Sequence, residues 1–70
     1  MEPGEWVRQF AEKVGVEPPG DREVEALLAL AADAAHGSAR TAAPIACWIA
    51  GRSGRPASEL MDAAKEVSQG

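Results

Sequence analysis

The chain has 70 residues, with 11 acids against 7 bases and a formal net charge of −4. Its hydrophobic share is 46%, but nearly half of those residues are alanine, which leaves one small domain and no deep cleft with its own catalytic machinery. The acidic balance, with a pI near 4.8, argues against a domain held to nucleic acid by counterion release and against a basic membrane-surface helix.

Apolar residues recur at helical spacing, and no stretch alternates with the period of a strand. The fold class is therefore all-α: a compact bundle of four short helices in a single domain, residues 1–70, with helices predicted over 3–14, 21–36, 42–50 and 56–67. The first helix places Trp6, Val7, Phe10, Ala11 and Val14 on one stripe, with Glu5, Arg8, Glu12 and Lys13 opposite. Arg8 and Glu12 stand four apart, the spacing of an exposed ion pair. Pro3 suits the first turn, Gly15 suits a left-handed cap, and Val16 stands where a Schellman ending makes its hydrophobic contact.

Glu17-Pro18-Pro19-Gly20 is a stiff connector, and Asp21 after it is an N-cap candidate. The second helix has Val24, Leu27, Leu28, Ala31 and Ala35 on one stripe, which Leu30 and Ala34 widen. Asp21, Glu23 and Glu25 crowd its start, where the helix dipole favours acids. His36 ends it and Gly37 supplies the stop.

Thr41 is placed to cap a third helix whose first turn contains Pro44. Residues 42–50 carry no charged side chain. A helix apolar all round is normally surrounded, and three other short helices are too few to do so, which leaves part of this one for a partner. Gly51-Arg52-Ser53-Gly54-Arg55 reads as a flexible basic turn. Pro56 then opens a fourth helix with Leu60, Met61, Ala64 and Val67 facing inward.

Residues 1–33 hold eight acids and three bases, whereas residues 34–58 hold no acid at all, only Arg40, Arg52, Arg55 and His36. His36, Arg40 and Thr41 should gather beside the N-terminus of the third helix, where backbone N–H groups and an arginine suit a phosphate or carboxylate. The structural alternative has Asp33 or a terminal carboxyl pairing with Arg40, and His36 capping its own helix. A Cys47–His36 nucleophilic pair is disfavoured, because Cys47 belongs to an apolar helix and His36 lies beyond its start. One histidine and one cysteine cannot build a conventional metal site, and no glycine-rich phosphate loop occurs. No cofactor or metal is expected. Trp6 and Trp48 read first as core fillers, with Trp48 and the adjacent Cys47 as the alternative interface anchors.

The single cysteine precludes an intramolecular disulfide, as in reducing compartments. The first residues lack the basic and apolar regions of a signal peptide, and no apolar run could span a bilayer. The expected location is the cytoplasm.

Several stretches together resemble a known family. These are Glu5-Trp6-Val7, Leu27-Leu28-Ala29-Leu30-Ala31, Asp33-Ala34-Ala35-His36-Gly37, and Arg40-Thr41-Ala42-Ala43-Pro44, ending at Gly51. The most specific part is Asp-x-x-His-Gly-x-x-Arg-x-x-Ala-Pro from Asp33 to Pro44. The family is one of small actinobacterial domains of unknown function, found alone or fused to molybdenum-cofactor guanylyltransferases. Thr41 stands where the family often has proline. The resemblance implies an accessory role near molybdopterin guanine dinucleotide synthesis or insertion, and it assigns no activity.

The function expected from all of this is a non-enzymatic accessory or protein-interaction module, acting as a homodimer or with a protein partner, the molybdenum-cofactor enzymes being those the resemblance implies. The alternative is a small-ligand domain for a phosphate-bearing group at His36 and Arg40. Neither nucleic acid nor membrane is an expected partner.

Overall fold

The computed structural model describes residues 1–70. The chain forms four α-helices and no strand: α1 (Pro3–Val14), α2 (Asp21–Gly37), α3 (Ala42–Ser53) and α4 (Met61–Gln69), with a single 3-10 turn, Ala57–Glu59, leading into α4. The all-α class read from the sequence is the observed one. The radius of gyration is 12.5 Å and the molecule measures 38 × 23 × 18 Å.

α2 is the spine. α3, the 3-10 turn and α4 all pack along it, whereas α1 packs extensively against none of them. α3 meets α2 through small residues: Ala43, Ala46 and Cys47 are half-buried and Ala50 is 4% exposed. Alanine at these positions lets two backbones approach closely and makes a tight seam from little side-chain volume. α4 is joined to α2 by Ser68, whose hydroxyl donates to Asp33 Oδ2 at 3.0 Å. Close by, a Cβ added at Gly37 would come within 3.0 Å of the Ser68 Cβ, so a glycine there is what admits α4. The 3-10 turn is held by Glu23, whose Oε2 accepts the Ala57 N–H at 3.1 Å. Ala57 itself is wholly buried.

The helix ends show which local signals prevail. α1 ends as its sequence predicts: Val16 N–H donates to Ala11 O at 2.9 Å and Gly15 N–H to Glu12 O at 3.2 Å, the paired bonds of a Schellman ending. Gly20, not Asp21, takes the N-cap of α2, and Asp21 is its first helical residue. Thr41 occupies the N-cap of α3 in αR geometry and makes no side-chain cap bond. α3 continues through Gly51 to Ser53, past the predicted end at Ala50. Its last turn is closed by Ser53 Oγ donating to Ala50 O at 2.7 Å, and Gly54 takes the left-handed cap with φ 72°. The predicted fourth helix is split, because Pro56 leads into the 3-10 turn and α4 starts only at Met61.

Burial departs most from the sequence reading. Ala11, Leu30, Ala50 and Ala57 are the four buried residues of the chain. Leu30, which only widened the expected stripe, is its one large buried side chain, while Leu28 is 65% exposed. Trp6, Phe10 and Trp48 are all more than half exposed, so neither tryptophan is a core filler. Val67, expected to face inward, is exposed as well. The cause is geometric: one spine helix with small-residue seams brings its neighbours in close, and the bulky residues beside those seams are left outside.

Candidate functional site

α3 presents two different sides. Opposite its alanine seam, Ile45, Trp48 and Ile49 fall within one arc of the helix, each more than half exposed. The Arg52 guanidinium lies over the Trp48 ring, 5.6 Å from its centroid, one turn further on. Such an exposed contact is worth about 0.5–1 kcal/mol and leaves Trp48 65% exposed. Residues 42–50 have no charge with which to offset this surface.

Beside that arc runs an open groove of about 620 Å³ between α3 and α4, with α2 as its floor. Leu30 and Ala34 form the floor, Ile45 and Ile49 one wall, and Leu60 and Val67 the other. Asp33, Ser38, Thr41, Ser53 and Ser68 add polar atoms, but Asp33 and Ser68 bond each other, Ser53 bonds Ala50, and the exposed hydroxyls of Ser38 and Thr41 lie together near the α2–α3 turn. Most of its lining is hydrophobic, so the groove is suited to an apolar occupant.

The residues singled out in the sequence fall as follows. His36, Arg40 and Thr41 are all exposed; Thr41 lines one end of the groove, and His36 and Arg40 do not line it. Asp33 bonds Ser68, and Arg40 forms no ion pair, the chain's one ion pair being Arg55–Glu59 at 3.6 Å. Arg8 and Glu12 do not pair either. Cys47 is a half-buried free thiol on the seam side, and Trp48 is exposed. No cluster of His, Cys, Asp and Glu is arranged to hold a metal ion, and no helix is long and apolar enough to cross a membrane.

Sequence reasoning missed the groove. Ile45 and Ile49 stand four apart beside Trp48, a spacing that already puts them on one face. What that spacing lacks is the opposite wall, because Leu60 and Val67 reach it only through the packing of α4 on α2.

A second apolar surface lies on α1. Trp6 and Phe10 stack with ring centroids 5.1 Å apart and planes inclined by 26°. Val14 and Val16 extend the stripe, and all four residues are more than half exposed.

The chain belongs to a family known only as a domain of unknown function (DUF6457), whose model matches residues 2–70. The resemblance to a family of unknown function is thus correct. Neither the curated proteins nor the solved structures contain a match to the chain.

Proposed function

We propose that this chain is a non-enzymatic protein-interaction module whose docking surface is the outer face of α3 and the groove beside it. One observation carries the reading: Ile45, Trp48 and Ile49 stand together, 61%, 65% and 58% exposed, on a helix with no charge between residues 42 and 50. Folded monomers rarely leave contiguous apolar patches of this kind open. A tryptophan with an arginine stacked on it is also the composition that dominates binding hot spots.

The resemblance noted above suggests the setting. Related actinobacterial domains fused to molybdenum-cofactor guanylyltransferases make such an enzyme the first partner to test, and the cytoplasm the place where the two would meet. An accessory role in making or inserting molybdopterin guanine dinucleotide follows from that pairing.

The test is titration of the intact chain against a purified molybdenum-cofactor guanylyltransferase, with Trp48→Ala as the variant. Truncating an interface anchor costs about 2 kcal/mol or more, so binding should weaken by about thirtyfold or more with helicity unchanged by circular dichroism. Equal binding by wild type and variant would remove α3 as the docking face. No binding by the wild type would remove this partner.

A further inference from the structure

We propose that the groove between α3 and α4 is the seat for α1 of a second copy of this chain, so that two chains exchange their first helices. This rests on the reading above that the α3 side of the molecule is an interaction surface, and it names what fills the groove.

The two unpartnered apolar surfaces of the chain match each other. α1 and α3 each have 12 residues, about 18 Å of helix, so a helix of the length of α1 covers the groove wall from end to end. The stacked Trp6 and Phe10 form a ready-made ridge, with Val14 one turn on. Anchors at such spacings are how an amphipathic helix enters a hydrophobic groove. Charge does not oppose the match: α1 is balanced, with Glu5 and Glu12 against Arg8 and Lys13 on the face away from the stripe, so it brings no net negative charge to the groove lined by Asp33.

The connector favours a second copy over the chain's own groove. Residues 15–20 include Pro18 and Pro19, whose fixed φ angles make a stiff spacer. With that spacer α1 makes no extensive packing with the helices behind it and contributes no residue to the groove. A stiff connector that withholds a helix from its own seat is the arrangement from which exchange between identical chains arises.

The area is sufficient for a weak pair. Aromatic side chains bury about 150–250 Å² each, and Trp6 and Phe10 are 55% and 54% exposed, so docking covers on the order of 200 Å² of aromatic surface per helix. With Val14 and the opposing Ile45, Ile49 and Val67, and two seats per two-fold pair, the total reaches roughly 1,000–1,200 Å², the lower bound of a specific interface. The pair should therefore dissociate on dilution.

The experiment is light scattering over a wide concentration range on the wild type, Phe10→Asp, Ile49→Asp and an equimolar mixture of the two variants, with circular dichroism on each sample. Both positions are more than half exposed, so both variants should keep their helicity; Phe10→Gln and Ile49→Gln replace them should either lose it. The wild type should form a concentration-dependent dimer and each variant alone should be monomeric. The mixture retains one intact seat per pair, the α1 of the Ile49→Asp chain in the groove of the Phe10→Asp chain, so it should recover dimers only partly and at higher concentration than the wild type. A wild type that stays monomeric throughout overturns the exchange, as does a variant that dimerises like the wild type. A dimer that survives Phe10→Asp but not Ile49→Asp would overturn the exchange alone and leave α3 as the interaction surface.

Discussion

α1 and α3 are equal in length and opposite in fate. α1 has the cleaner division into an apolar stripe and a polar face, yet of its stripe only Ala11 is buried. α3 has almost no polar face, yet it is the helix packed most fully on α2. What decides attachment in this chain is not amphipathic pattern but the supply of small residues at one spacing: Ala43, Ala46, Cys47 and Ala50 form a seam, and α1 has only Ala11. A seam of alanines lets α3 sit close to α2, and its isoleucines and tryptophan then point past the contact. The bulky stripe of α1 has no surface of matching width behind it. Packing and patterning are thus separable, and the molecule assigns them to different helices.

Substitutions that act on the packed half should be costly, and the largest effect is expected at Leu30. It is 5% exposed, the only large side chain in the core, and it floors the groove. Leu30→Ala should lose about 2–5 kcal/mol. A 70-residue domain has a total stability of roughly 4–10 kcal/mol, so the variant should be largely unfolded at moderate urea, as followed by ellipticity at 222 nm. A loss below about 1 kcal/mol would mean that α2 is not the spine.

Next comes Ala57, wholly buried in the 3-10 turn beneath α2. Ala57→Leu should cost about 1–3 kcal/mol by overpacking, seen as a lower urea midpoint. Glu23→Ala should cost about 1–2 kcal/mol, since it leaves the part-buried Ala57 N–H without its acceptor. Glu23→Gln keeps an acceptor and should recover most of that loss. If both variants lose equally, the carboxylate acts by charge at the start of α2 and not through the bond to Ala57.

How far the chain can be read without coordinates follows the same division. Local chemistry was legible: Pro3 and Gly15 bracket α1 where they should, and the apolar character of α3 correctly marks it as incompletely covered. Gly51 misled because a glycine tolerated inside a helix looks the same as one that ends it, and the residue that ends α3 is Gly54. Leu28 and Leu30 could not be ranked, since α2 is apolar over so wide an arc that periodicity does not point. The tryptophans misled for a reason of scale: the preference of aromatics for cores presumes a core wide enough to hold them, and this one is built of alanine. The contacts that set the groove, Ser68 to Asp33 and Ala57 to Glu23, join residues 35 and 34 positions apart, and no local pattern signals them. Of the candidate site, the uncharged run 42–50 was legible, and the exposure of Trp48 and the groove beside it were not.

The smallest expected effect tests the contrast most directly. In a dilute sample Phe10→Asp should change stability by no more than about 0.5 kcal/mol, the range for surface positions that make no special contact. Phe10 is 54% exposed, and its one notable neighbour is the ring of Trp6 on its own helix. A polar residue at that position removes apolar surface from water in the folded and unfolded chains alike, so little is left to register in the difference. Urea melts of wild type and variant should therefore superimpose at low protein concentration. They should separate as concentration rises, because only the wild type gains stability by mass action from self-association. Superposition at every concentration would show that the α1 stripe neither supports the fold nor joins another copy. Separation already at high dilution would show that α1 is held by its own chain, and that the two halves of the molecule differ less than their burial indicates.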